Sequence, residues 1–354
     1  MTAKAVAAEV AVNMHYLVGI SGGLDSTLAA ASLLENGHQV SGAVLRFSEH
    51  TDLTAARLAA AELGIDLHEI DCEQRFDRIV KDYFATSYAL GRTPNPCVVC
   101  NRHVKIPLLC DLATTLGCDR VITGHYAEIL HLENGRYAVK CGDDRKKDQS
   151  YMLWGLSQEH LALLEFPLAH DKKDDLRQKA VEKHLSAAAS KESMDICFLP
   201  DGNYADFVQA RKGQSAPGNF IDKDGRVLGR HNGIVHYTVG QRKGLGIALG
   251  QPAFVSRIDP VANTVTLVFA GDEYSSEMKL GHLNFQSIAP CDDLACDNWK
   301  VKIRYAAQPV PASVKIEGDV ATVRFPTPVR AITPGQSAVF YDENDTIVFG
   351  GFIL

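Results

Sequence analysis

The run Ser21-Gly22-Gly23-Leu24-Asp25-Ser26 constrains this chain more than any other. It joins an apolar stretch that reads as a strand, His15 to Ile20, to a helical stretch, Ser26 to Glu35. Adjacent glycines reach backbone angles closed to other residues, so the amides between strand and helix can turn toward one point. The helix that follows adds unpaired N–H donors and the positive end of its dipole, and the combination suits a phosphate. Ser21 and Ser26 can donate to phosphate oxygens, and Asp25 has the chemistry to hold Mg2+. A plain strand-to-helix turn needs one glycine, so the whole pattern favours a nucleotide site. Neither GxxxxGK[ST] nor GxGxxG is present.

Around this loop, short apolar runs alternate with helical ones. Strands are expected at Val40 to Phe47, Leu67 to Ile70 and Arg120 to Thr123. Helices are expected at Leu53 to Leu63, Gln74 to Leu90, Val99 to Leu116 and Asp171 to Leu185. This alternation predicts an α/β fold with a doubly wound parallel sheet, whose ligands bind beyond the carboxyl ends of its strands. Asn134-Gly135 suits a tight primed hairpin turn. After about residue 200, Gly and Pro punctuate short β-rich runs: Val235 to Val239, Ala253 to Ile258, Thr264 to Phe269, Val301 to Tyr305, Ser313 to Ile316, Ala321 to Phe325 and Ser337 to Tyr341. With a polar break at Asp272 to Ser276, the expected division is 1–200, a small central β-rich domain at 201–275, and a β-barrel-like domain at 276–354.

Composition narrows the function classes. A hydrophobic share of 46% and a charged share of 22% suit a soluble globular chain of 354 residues. The net charge of −7 argues against a protein that simply coats nucleic acid, although local basic clusters occur at Arg145 to Lys147, Arg242-Lys243 and Lys300 to Arg304. No apolar stretch approaches the roughly 20 residues that span a bilayer. The first 13 residues lack the apolar core of a signal peptide, so a frayed leader and a cytoplasmic, membrane-free protein are expected. Nine cysteines, an odd number, speak against a disulfide scaffold.

Among those cysteines, Cys97 and Cys100 follow the proline-bounded run Gly91-Arg92-Thr93-Pro94-Asn95-Pro96. Pro94 and Pro96 impose an extended approach, after which the chain enters a helix at Cys97 to Cys100. A thiol in a helix's first turn feels the positive dipole end, so a lowered pKa is expected, with Arg102 and His103 adding to it.

Two resemblances rest on these residues. The loop Ser21 to Ser26 resembles the pyrophosphate-binding loop of the PP-loop ATP pyrophosphatases, which implies cleavage of ATP between its α and β phosphates and transfer of AMP to a substrate oxygen. The segment Gly91 to Asn101, with Met194-Asp195-Ile196-Cys197-Phe198, resembles the tRNA-specific 2-thiouridylase (MnmA) group. Further matches are Thr123 to Ala127, Lys147 to Tyr151, His236 to Gly246 and Thr333-Pro334-Gly335-Gln336, so the resemblance spans nearly the whole chain.

It implies that ATP, with Mg2+, binds through Gly19, Ile20, Ser21, Gly22, Gly23, Leu24, Asp25 and Ser26, with Leu45 and Gly124 near the adenosine. The O2 of the wobble uridine of tRNA is adenylated. Sulfur then arrives from an upstream donor or carrier as a persulfide on Cys197, and Cys100 attacks to release it, leaving a Cys100–Cys197 disulfide. Asn95, Pro96 and Cys97 would face the target base, while Lys147, Asp148, Gln149, Arg304 and Tyr305 would contact tRNA.

This chain departs from that pattern in two places. Many members carry Asp where Cys97 stands. Cys97, Cys100 and Cys197 together could instead ligate a [4Fe–4S] cluster that carries the sulfide. Asp195 beside Cys197 would disfavour a thiolate there, which leans the same way. Other readings remain open at this point: another PP-loop adenylating enzyme, or a non-catalytic tRNA-binding or sulfur-carrier protein.

Overall fold

The computed structural model describes residues 13–190, 196–199 and 202–354. The expected leader and the Met194-Asp195 pair therefore lie outside the described residues.

Five strands form the first sheet: β1 (His15–Gly19), β2 (Gln39–Arg46), β3 (Leu67–Asp71), β4 (Arg120–Ile122) and β7 (Leu164–Glu165). Their order is β3-β2-β1-β4-β7 and every pairing is parallel. Successive side chains point to opposite faces, and both faces of β1, β2 and β4 are covered, which is why these inner strands read as apolar runs, while the edge strand β3 carries His68, Glu69 and Asp71. Tyr16, Val18, Ile20, Val40, Val44 and Ile122 pack on the alanines of α1 (Leu24–Glu35) and α2 (Thr54–Leu63). Leu17, Ala43, Leu45 and Val121 pack on the opposite side against Phe76, Val80, Val104 and Leu109, which belong to helical segments 73–89 and 96–116. The chain reverses direction across the sheet at β1, and the loops after β1 and β4 flank the resulting crevice.

Strands β5 (Ala127–His131) and β6 (Tyr137–Cys141) form the hairpin expected at Asn134-Gly135. Its connection runs from Leu132 to Arg136, closed by the Leu132 amide on the Arg136 carbonyl (2.8 Å), so it is longer than a two-residue primed turn. Four strands, β8 (Gly218–Ile221), β9 (Val227–His231), β10 (Ala253–Asp259) and β11 (Thr264–Phe269), make a separate sheet. The remaining six are β12 (Tyr274–Phe285), β13 (Asp293–Lys302), β14 (Val310–Glu317), β15 (Val320–Arg330), β16 (Ser337–Tyr341) and β17 (Ile347–Ile353). They close into a barrel filled by Phe340 stacked on Phe349 at 4.3 Å.

Two local expectations are corrected. Val235 to Val239 is no strand: a 3-10 turn at Ile234–His236 precedes irregular chain bounded by Gly233 and Gly240 at positive φ. The apolar residues are buried there without a ladder. The run Val301 to Tyr305 leaves its strand at Lys302, and β12 takes up the end of the polar stretch 272–276, from Tyr274.

The barrel shares a core with the first sheet's domain. Val339, Tyr341 and Ile347 join the cluster that holds Trp154, and Gly350 lies so close to that indole that a Cβ would sit 2.7 Å from it. Gln286, fully buried, accepts from the Val139 amide (3.0 Å) and donates to the Leu153 and Trp154 carbonyls (3.0 and 3.1 Å).

Candidate active site

At the carboxyl end of β1 the glycine-rich loop turns as expected. Gly22 stands at φ +75° with its α-carbon against α2, where a Cβ would meet Ala55 at 2.3 Å, so only glycine fits. The Ser21 amide donates to Ser26 Oγ (3.1 Å), and the Gly23 amide lies 3.3 Å from Ser21 Oγ, which folds the loop over the start of α1. Gly124, after β4, abuts the same turn: a Cβ there would sit 2.9 Å from Asp25 Cβ and 3.0 Å from the Ser26 nitrogen.

These groups open onto a cavity of about 520 Å³. Gly19, Ile20, Ser21, Gly23, Asp25, Ser26, Leu45 and Gly124 line it on the phosphate-loop side. Gly22 and Leu24 do not: Gly22 faces α2, and Leu24 is buried with Leu28, Tyr126 and Leu168. The donor set fits a nucleotide polyphosphate. Asp25 is less suited to a magnesium ion than expected, because Lys173 bonds both its oxygens (2.5 and 2.6 Å) and the Tyr126 hydroxyl adds a third contact (2.7 Å). Any ion there would have to displace an ammonium.

The opposite wall carries the thiols. Cys97, Cys100 and Cys197 all line the same cavity. Asn95 caps the helix Pro96–Cys100, accepting from the Val98 amide (3.4 Å), with Pro96 in the first turn as its fixed φ allows. Cys197 sits in a turn closed by the Leu199 amide on the Ile196 carbonyl (2.8 Å). Neighbouring Phe198 anchors that turn edge-on against Phe76 (5.7 Å) and Phe84 (5.3 Å).

The expected depression of the thiol pKa is overturned. Burial against apolar walls pushes Cys97 and Cys197 up, and Cys100 up to about 12. Desolvation of a thiolate outweighs the favourable end of the helix dipole. Arg102 and His103 do not help: Arg102 lies over the Trp154 ring (5.9 Å), and the His103 carbonyl takes the Arg75 guanidinium (3.0 Å).

The cation that does face the thiols is Lys105, which pulls all three pKa values down, against the larger effect of burial. A π-type turn at Asn101–Lys105 brings it there. Sequence spacing gave no hint of it, because five residues apart is not a neighbouring position on an α-helix. Lys173, 148 residues from Asp25, was equally invisible. His125 is buried, bonded to Thr123 Oγ1 (2.7 Å), and held well below its ordinary pKa by desolvation, so it is neutral.

Lys105 lines the cavity with the three thiols, and a negative charge on any of them raises its pKa against the larger effect of burial. Among the described residues no three His, Cys, Asp or Glu side chains are grouped to hold a single metal ion. A negative charge on Cys197 or on Cys97 raises the Cys100 pKa further, and Lys105 lowers it.

The residues expected to meet tRNA divide into two groups. Tyr305, partly exposed, lines the cavity mouth beside Tyr151 (6.2 Å), with Lys302 over its ring (5.3 Å), and Lys147 is close enough to lower its pKa. Gln149 reaches the cavity while accepting from the Tyr126 amide (3.2 Å). Asp148 is turned inward, onto the amides of Gly142 and Ser150 (both 3.2 Å). Arg304 is spent on Val239, Ala331 and Thr333.

Comparison with known proteins agrees with this architecture. Residues 14–201 match the family described as tRNA methyl transferase HUP domain, 205–268 its PRC-barrel domain, and 275–353 an aminomethyltransferase beta-barrel domain. The protein called tRNA-specific 2-thiouridylase MnmA in Acetivibrio thermocellus is 42% identical over 355 residues, covering 95% of this chain and 98% of that one. Its namesake in Carboxydothermus hydrogenoformans is 41% identical, covering 95% and 96%, and that of Lachnoclostridium phytofermentans 40%, covering 96% and 99%. With a phosphate loop and three thiols on one cavity and full-length relatives at this identity, the chain belongs to the tRNA-specific 2-thiouridylase MnmA family.

Proposed function

We propose that this protein is an ATP-dependent tRNA uridine 2-sulfurtransferase acting on the wobble base. The observation that carries the reading is that the phosphate loop and the three thiols share one cavity, with Tyr305 at its mouth. An ATP held on the loop presents its α-phosphorus to the uracil O2. Attack there breaks the α–β bond, releases pyrophosphate and turns a poor leaving oxygen into AMP. Magnesium enters as the counter-ion of the phosphates.

A persulfide on Cys197, loaded by an upstream donor, then attacks C2 through its terminal sulfur and expels AMP. Cys100 attacks the Cys197 sulfur, breaks its bond to the transferred sulfur and frees the 2-thiouridine, leaving a Cys100–Cys197 disulfide. An external dithiol reductant restores both thiols. Lys105 supports the anionic sulfurs that this sequence needs in an otherwise apolar wall. Pro96 and Cys97 form the base side of the cavity, with Asn95 capping their helix behind them. Single-stranded anticodon-loop bases are cheaply unstacked, and Tyr305 offers a face for stacking. No described helix is long and apolar enough to cross a membrane, and the reaction belongs in the cytoplasm, where tRNA and the sulfur donor are.

The test incubates the protein with ATP, Mg2+, a persulfide donor and an unmodified tRNA transcript. The expected product is tRNA with one oxygen exchanged for sulfur, together with AMP and pyrophosphate. No AMP release with tRNA present would leave a tRNA-binding or carrier protein. Iron and acid-labile sulfide are measured in anaerobically purified parent and Cys97→Ala. Neither should hold iron, and Cys97→Asp should still thiolate. A near-stoichiometric cluster in the parent, absent from the variant, would replace the persulfide route.

A further inference from the structure

Two motifs that the reaction has not used meet at the thiol-bearing loop. The barrel turn 333–336 abuts residues 92–94, immediately before the Asn95 cap. The Thr93 amide donates to the Pro334 carbonyl (2.8 Å), and Gln336 Nε2 donates to the carbonyls of Thr93 and Pro94 (both 3.1 Å). Gly335, at φ +90°, is pressed so near that a Cβ would lie 2.8 Å from the Thr93 oxygen. The turn is itself held on β17, through the Gly335 amide on the Ile353 carbonyl and the Ile353 amide on the Gln336 carbonyl (both 2.8 Å).

The third party is the central domain. Arg304 Nη2 lies against the carbonyls of Val239 (3.1 Å) and Ala331 (2.8 Å) and against the Thr333 hydroxyl. Gly240 admits it, since a Cβ there would sit 3.2 Å from the guanidinium and 2.9 Å from Ala331 Cβ. No carboxylate among the described residues forms an ion pair with Arg304. Its three acceptors are neutral groups from two domains.

We propose that the turn 333–336 positions the base-side and thiol residues for the reaction inferred above, with Gln336 and Arg304 as positioning residues. The inference rests on that reading of the function. Pro96–Cys100 is the first turn of the helical segment 96–116, and first turns fray, so the place of Cys97 and Cys100 depends on what holds its entrance. Both Nε2 hydrogens of Gln336 go to that entrance. Arg304 fixes the start of the turn that does the holding. Catalysis in the first domain is thereby made conditional on the barrel being docked.

The test compares the full-length parent with Gln336→Ala, the isosteric Gln336→Glu, which sets oxygens against two carbonyls, and Gly335→Ala, which keeps every polar group but pushes on Thr93. Steady-state thiolation of a tRNA transcript is read with amide hydrogen exchange of residues 92–100. A misplacement approaching 1 Å costs up to about a hundredfold in rate. All three variants are expected to lose at least about tenfold in kcat, keep the tRNA KM within about twofold, and exchange faster at 92–100. A raised KM with unchanged kcat at saturating tRNA would make Gln336 a tRNA contact and overturn the proposal. Unchanged exchange at 92–100 would overturn it too. Exchange reads loop positioning without tRNA, so failure of the parent to thiolate would count against the function alone.

Discussion

Replacing Gly124 by alanine tests the phosphate loop by steric means alone. The backbone at Gly124 is not in the left-handed region, so the methyl group adds no conformational strain of its own. It would lie 2.9 Å from Asp25 Cβ, 3.0 Å from the Ser26 nitrogen and 3.2 Å from the Asp25 carbonyl carbon. Ordinary contact between carbons is about 3.5–4.0 Å, so β4 and the first turn of α1 must separate by roughly half an ångström or more. Neither partner is a flexible side-chain tip: two of the three contacts are backbone atoms of the loop that would hold phosphate. Overpacking of this kind costs about 1–3 kcal/mol, and the displacement falls on the reacting phosphate. The expected outcome is a fall of about ten- to a hundredfold in kcat/KM for ATP, measured as tRNA-dependent AMP release. Alkylation of Cys100 by iodoacetamide, on the far wall, should be unchanged. Gly117→Ala serves as control, since a Cβ there meets nothing within 4 Å but stands at φ +67° in the cap of its helix. It should cost about 1 kcal/mol of stability and leave the ATP KM alone. AMP release by Gly124→Ala within twofold of the parent would refute the steric reasoning.

Cys100 sets a pH dependence. With its thiol pushed up to about 12, it is protonated at neutral pH, and the thiolate fraction grows tenfold per pH unit. Its alkylation rate should climb by about that factor per unit from pH 7 to 10 without levelling, and a plateau below pH 9 would refute the burial argument. Gln286→Leu removes the acceptor of the buried Val139 amide and the donor to two carbonyls. It should destabilise the protein by about 2–4 kcal/mol in urea unfolding, and a loss under about 0.5 kcal/mol would show that the joint between barrel and first sheet lies elsewhere.

The parallel sheet, the glycine loop and the barrel strands were legible because each is written in local pattern. Apolar runs mark β1, β2 and β4, paired glycines mark the turn at 22–23, and alternating burial marks β14 and β15. That Cys97, Cys100 and Cys197 belong with the loop was legible only through resemblance, and the structure brings them to its cavity. The chemistry of those thiols was not legible. A cysteine at a helix start reads as a thiolate until the apolar walls that desolvate it are known, and those walls come from Phe76, Val80 and Phe198, far apart in the chain. Lys105 was hidden by a π-type turn, which a 3.6-residue period does not anticipate. The intramolecular partners of Asp148 and Arg304 were not legible, because charge is visible in a sequence and its direction is not. The sequence by itself determined the elements and the chemical inventory, since these follow from local sterics and hydrophobic periodicity. Only the tertiary structure decided which charges meet, which thiols lose their water and which domain holds the reactive loop, because those depend on contacts across more than a hundred residues.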